Sequence, residues 1–184
     1  MNRLALPALL LAALLNACSS HSTTSLPTVP KVDLARYMGK WYNLARLPAS
    51  FQDGCTHSTA DYAMGPGGTV SVVNRCEMKG HAKEVKGSAR VVDTDTNAVL
   101  EVTFKEWFSA FIPKAPQGNY FVIWLAPDYS AAAVGTPDRK YLWILSRNPS
   151  MSTGKYLTIV DHCKELGFDV GKLIIEDPKS IGGR

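Results

Sequence analysis

Gly39-Lys40-Trp41-Tyr42 and, about a hundred residues later, Tyr141-Leu142-Trp143-Ile144-Leu145-Ser146-Arg147 bracket a stretch that reads almost entirely as β-strand. Outward from these two segments, apolar and polar residues alternate and turn residues recur at short intervals. Lys40–Leu47 is the first strand. Cys55–Ala63 and Thr69–Cys76 make a hairpin across Met64-Gly65-Pro66-Gly67-Gly68. Val85–Val92 and Ala98–Lys105 make another across Asp93-Thr94-Asp95-Thr96-Asn97. Tyr120–Ala126, Ser130–Val134 and Tyr141–Ser146 bring the count to eight. Asn148-Pro149-Ser150 then caps a helix whose Tyr156, Ile159, Val160, Cys163 and Leu166 form one apolar stripe, ended by Gly167. Val170–Ile175 is a short final strand. Strands in series followed by one amphipathic helix predict an all-β domain, an eight-stranded antiparallel up-and-down barrel with a C-terminal α-helix packed on its wall. Eight strands enclose room for one small ligand. A two-sheet sandwich satisfies the same periodicity.

Arg36-Tyr37-Met38-Gly39-Lys40-Trp41-Tyr42 resembles the first lipocalin motif, and Pro137-Asp138-Arg139-Lys140 running into Tyr141–Arg147 resembles the second and third. The wording is nearest to the branch that holds bacterial outer-membrane lipoprotein lipocalins, plant temperature-induced lipocalins and apolipoprotein D. Leu166-Gly167-Phe168-Asp169-Val170 is similar to that branch as well. The resemblance implies a lipocalin barrel that carries hydrophobic or amphipathic ligands, such as fatty acids or lysophospholipids, in envelope lipid maintenance or stress response. It also implies that Trp41 plugs the closed end with Arg147 across its indole. A guanidinium over an indole is a cation–π contact of about 0.5–2 kcal/mol. Gly39, Trp41 and Arg147 are therefore expected as structural residues, not ligand contacts.

The first seventeen residues read as a lipoprotein signal peptide. Arg3 supplies a positive start, and Leu4–Leu15 is an apolar run too short to span a bilayer core of about 30 Å. Leu15-Asn16-Ala17-Cys18 resembles the bacterial lipobox, in which the cysteine is acylated and becomes the N-terminus; Asn16 departs from the small residue usual there. Ser19 follows, with no Asp to suggest inner-membrane retention, so the pattern implies the outer membrane with the domain facing the periplasm. Residues 18–30 then form an acylated cysteine and flexible tether, and 31–184 the folded domain. Several acyl chains on Cys18 would hold stably where one holds only marginally. The formal charge of +4, with no basic run interleaved with aromatics, argues against nucleic acid as a partner.

Strand parity sketches the cavity. Tyr141, Trp143 and Leu145 point inward if Trp41 and Arg147 do, leaving Leu142 and Ile144 for the helix. Leu100, Val102 and Phe104 are expected inside because Glu101, Thr103 and Lys105 need water. Tyr120, Val122 and Trp124 are expected inside, with Phe121 and Ile123 outward. Tyr129, Ala131 and Ala133 leave space beside the rings, and Tyr62 adds another from the first hairpin. Such a lining is apolar with a few hydroxyl and indole donors, the profile of a lipid site. A barrel packed shut is the alternative, and one β-bulge would reverse a strand. Trp107-Phe108-Ser109-Ala110-Phe111-Ile112-Pro113 is apolar where a loop is expected, and offers a contact for the cavity mouth, the bilayer or a second copy in a homodimer.

Three cysteines follow Cys18. A four-residue loop Met64–Gly67 places Cys55 opposite Cys76, predicting a disulfide; a register one residue away places His57 there instead. Cys163 lies on the helix stripe as a buried thiol. An enzyme reading would need Cys55 as a free thiol beside His57, a cysteine-dependent lipid isomerase, but no carboxylate is placed to orient that histidine. His21, His57, His81 and His162 are scattered, so no metal or other cofactor is expected, and neither is catalysis. A third reading is an envelope lipoprotein that displays loops to protein partners and carries no ligand.

Overall fold

The computed structural model describes residues 25–104 and 117–182. The signal peptide, Cys18 and the Trp107–Pro113 segment lie outside the described residues. A short helix, α1 (Leu34–Tyr37), leads into β1 (Gly39–Arg46). There follow β2 (Cys55–Met64), β3 (Val70–Met78), β4 (His81–Val91), β5 (Val99–Phe104), β6 (Tyr120–Leu125), β7 (Ala131–Gly135) and β8 (Leu142–Ser146). The chain ends in α2 (Thr153–Glu165) and a two-residue β9 (Ile174–Ile175). Each of β2 to β7 pairs antiparallel with the next, β8 pairs with β1, and β1 closes on β2. The result is an eight-stranded up-and-down barrel, not a sandwich, with β9 added beside β1 at Ala45↔Ile175.

Alternation divides the apolar residues into two clusters. The outer one joins Tyr156, Ile159 and Cys163 of α2 to Phe121, Ile123, Leu142 and Ile144 on the barrel wall. The inner one gathers around Trp41 and includes Tyr37, Tyr62, Val72, Leu100, Val122 and Leu145. Gly135 has no room for a side chain, since a Cβ there would lie 2.4 Å from the Phe168 ring that packs beneath the end of α2.

Several boundaries differ from the sequence reading, each for a local reason. β4 begins at His81 because a tight turn at Lys79-Gly80, both with positive φ, extends the β3–β4 hairpin into exposed sequence with little alternation. Val170–Lys172 is a 3-10 turn, which leaves only Ile174–Ile175 as strand. Residues 25–30 of the expected tether are docked: Leu26 is buried in the outer cluster, and the Val29 amide donates to the Val122 carbonyl at 2.9 Å.

Candidate functional site: an open barrel cavity

The closed end is locked around one indole. Trp41 is fully buried and its Nε1 donates to the Tyr37 carbonyl at 2.9 Å. The Arg147 guanidinium lies 3.9 Å from the ring centroid and donates to the Lys40 and Arg36 carbonyls at 2.9 and 2.7 Å. Gly39 makes this approach feasible. Its φ of +94° is strained for other residues, and a Cβ would sit 3.3 Å from Arg147 Nη1.

Above this plug lie three phenols. The Tyr37 and Tyr120 hydroxyls are 2.9 Å apart, and Tyr120 donates to the Tyr62 hydroxyl at 3.2 Å. Burial pushes the Tyr62 phenol up to about 12 and holds Tyr37 and Tyr120 well above the ordinary range, because a phenolate there would lose its water.

Over the phenols opens a cavity of about 500 Å³. Tyr62, Val102, Phe104, Tyr120, Trp143 and Leu145 line it, with Val72, Val134, Phe51 and Met78. The β1–β2 connection crosses its rim: Trp143 Nε1 donates to Gln52 Oε1 at 2.8 Å, and the Gln52 carbonyl accepts from Arg46 Nη2 at 2.8 Å. Asn119 finishes the short β5–β6 ladder as a substitute backbone unit, its amide donating to the Val102 carbonyl and accepting from the Val102 N–H.

Leu100 and Val122 sit lower, in the inner cluster around Trp41. Three expected cavity residues lie elsewhere. Trp124 faces out, because a bulge between Val122 and Trp124 sets it opposite Ala133 on the helix side. The same register turns Ala131 and Ala133 outward and brings Ala132 and Val134 inward. Tyr129 occupies the β6–β7 turn with φ +61° at the closed end, accepting from the Asp33 amide at 2.8 Å beneath the Arg36 guanidinium. Tyr141 precedes β8 and stacks on Trp143 and against Phe51, 5.3 Å between centroids for the latter, at the rim and off the cavity wall.

Cys55 and Cys76 form a disulfide, with Cα atoms 5.5 Å apart. They are not directly opposed, as the four-residue loop required. The connection runs over five residues from Met64↔Val70, and a bulge at His57-Ser58 sets Cys55 opposite Met78. The bridge therefore crosses diagonally. Cys163 is a buried free thiol, pushed up to about 12 by burial. Among the described residues, no group of three or more His, Cys, Asp or Glu could hold a metal ion.

Sequence reasoning passed over one feature of the wall. Asn43, Ser58 and Asn74 are polar residues on three neighbouring strands of the cavity lining, with Asn43 Oδ1, Ser58 Oγ and Asn74 Oδ1 buried from its lumen. Glu176 reaches the gap where β1 and β2 diverge; its Oε1 accepts from Asn43 Nδ2 at 2.8 Å and its Oε2 from the Ser58 amide at 2.6 Å. Arg46 Nε stands 3.4 Å from the same carboxylate, both side chains being almost wholly buried. Only an isolated polar residue at an inward position of β1 could have signalled this.

A closed antiparallel barrel plugged at one end and hollow at the other is the architecture of a small-ligand-binding protein. The profile of the lipocalin-like domain matches residues 32–178. The chain belongs to the lipocalin family. It is 38% identical over 169 residues to the outer membrane lipoprotein Blc of Vibrio cholerae, covering 90% of this chain and 94% of that one. It is 36% identical to temperature-induced lipocalin-1 of Arabidopsis thaliana over 80% of each chain. Mouse apolipoprotein D is 29% identical, covering 83% of this chain and 80% of that one. Insecticyanin from Manduca sexta has the same fold at 18% identity, with a TM-score of 0.60 covering 86% of this chain and 88% of that one.

Proposed function

We propose that this lipocalin is a lipid-anchored carrier at the outer membrane, facing the periplasm, that reversibly binds one single-chain amphiphile, a fatty acid or lysophospholipid. The observation that carries this is the 500 Å³ cavity, mostly apolar and open at one end, within the range that buries a small ligand. Tyr62, Val102, Phe104, Tyr120 and Trp143 are its proposed contacts. Removal of residues 1–17 and acylation of Cys18 would tether the domain, in keeping with the names of its bacterial relatives. No described helix is long and apolar enough to cross a membrane.

About 16 methylenes at roughly 0.8 kcal/mol give about 13 kcal/mol of gross transfer. Association removes on the order of 4–15 kcal/mol, so micromolar affinity and ready release follow. An isomerase would need the Cys55 thiol, which is held in the disulfide. Titration of the delipidated protein with palmitate or lysophosphatidylcholine tests the reading through Trp143, whose indole stands in the wall. A saturable fluorescence change, lost in Trp143→Phe, is expected. If no amphiphile gives saturation by fluorescence or calorimetry, the carrier reading fails.

A further inference from the structure

The charges around the cavity are unevenly matched. Among the described residues, Asp53 of the β1–β2 connection, Arg75 of β3, and Lys83 and Glu84 of β4 border it. Arg75 is bound to Asp61 and Glu84 at 2.6 and 2.8 Å, and Glu84 also holds Lys86 at 3.2 Å. That outward-facing group neutralises itself. Lys83 is different. It stands opposite Cys76, and Val85 stands opposite Asn74. Cys76, Asn74 and Val85 all line the cavity, so alternation along β4 turns Lys83 to the inner face, at the mouth end of the hairpin. Lys83 is exposed and in no ion pair among the described residues. Asp53, two residues before Cys55, belongs to the other arm of the Cys55–Cys76 bridge and leaves Lys83 unpaired.

The depth of the cavity decides which end of an amphiphile meets this lysine. Tyr62 stands opposite Val72 and Lys83 opposite Cys76, so four residues of β3, about 13 Å at roughly 3.3 Å each, separate the phenols from Lys83. A charged head is disfavoured at the floor. The phenols there bond one another, and the burial that keeps their protons on would also strip a carboxylate or phosphate of its water. Arg147 beneath them is committed to the Trp41 face and to the Lys40 and Arg36 carbonyls. Arg46 is committed to Glu176 and the Gln52 carbonyl. The tail therefore goes down, and the head stays at the rim within reach of water and of Lys83.

We propose that Lys83 is the head-group residue of the cavity, receiving the anionic group of a single-chain amphiphile that enters tail first. This rests on the cavity being a carrier site. The anion is either the carboxylate of a fatty acid or the phosphate of a lysophospholipid, and two matched pairs of probes separate these sources. Laurate, whose extended chain is close to the depth below Lys83, is compared with methyl laurate. Lauroyl lysophosphatidate is compared with monolaurin, in both cases on the full chain stripped of bound lipid. At low salt the anionic member of at least one pair binds about twofold to fivefold tighter, the effect of one ion pair open to water. The margin shrinks in about 1 M salt, where screening is nearly complete. Lys83→Met removes the margin and Lys83→Arg keeps it, while the denaturant midpoints of both variants stay at the unsubstituted value because the side chain is exposed. Equal affinities within both pairs overturn the assignment, as does a margin that survives Lys83→Met or is lost equally in Lys83→Arg. Failure of all four probes to bind the unsubstituted protein overturns the carrier reading and the assignment with it.

Discussion

The two halves of the barrel interior treat polar groups in opposite ways. At the closed end the Trp41 indole N–H, both Arg147 terminal nitrogens and the three tyrosine hydroxyls all have partners. Around the β1–β3 wall of the cavity, Asn43 Oδ1, Ser58 Oγ and Asn74 Oδ1 are buried and have none among the described residues. The first arrangement stabilises a fold, because each group removed from water has recovered its hydrogen bond. The second lowers the stability of the barrel, because those atoms have left water without recovering a hydrogen bond. The closed end is thus where substitutions should harm stability, and the unpaired group is where apolar replacements should be tolerated.

The largest effect belongs to Trp41→Ala. Truncating a fully buried indole leaves a cavity and removes the surface on which Arg147 lies, a loss of about 3–5 kcal/mol. Denaturant unfolding of the variant measures it. A loss below about 1 kcal/mol would mean that the closed end relaxes around the void and that the plug is dispensable.

The closed end was also the part legible in the sequence. Gly39, Trp41 and Arg147 stand in segments that resemble family motifs, and their contacts are set by strand ends that sequence locates well. Leu100, Val102, Phe104 and Tyr120 keep simple parity because no bulge interrupts their pairing. Trp124 was misplaced because the β6 bulge inserts one residue into an apolar run with no polar face to mark it. The disulfide partners were legible although their register was not, since a diagonal bridge tolerates the shift that the His57-Ser58 bulge imposes. The polar cluster around Glu176 was illegible for a different reason. It depends on that bulge and on Glu176, which stands just after a two-residue strand more than a hundred positions further on.

The phenols between the two halves supply an intermediate effect. Tyr120→Phe removes the middle hydroxyl and strands Tyr37 and Tyr62, a loss of about 1–3 kcal/mol. The same layer sets an alkaline limit. An unfolded tyrosine ionises near pH ~10, whereas folded Tyr62 holds its proton to about 12 and its two partners also lie above the ordinary value. Between those values the folded state binds more protons, so stability is full below the unfolded pKa and is lost as pH rises through the folded one. Phenolate absorbance should show these three tyrosines titrating only as the barrel unfolds. Early titration of all seven tyrosines in a folded protein would show the layer to be wet.

The smallest effect has the opposite sign. Ser58→Ala with Asn74→Leu removes two polar atoms that are buried without partners, and leaves the Glu176 bonds in place. Replacing such groups by apolar ones is neutral or stabilising, so the barrel should gain up to about 1 kcal/mol. Denaturant midpoints of the stripped protein measure the gain. A loss of more than about 1 kcal/mol would place these residues with the closed end, as structural groups. A gain would show that the protein is held below its attainable stability by polar atoms buried without partners.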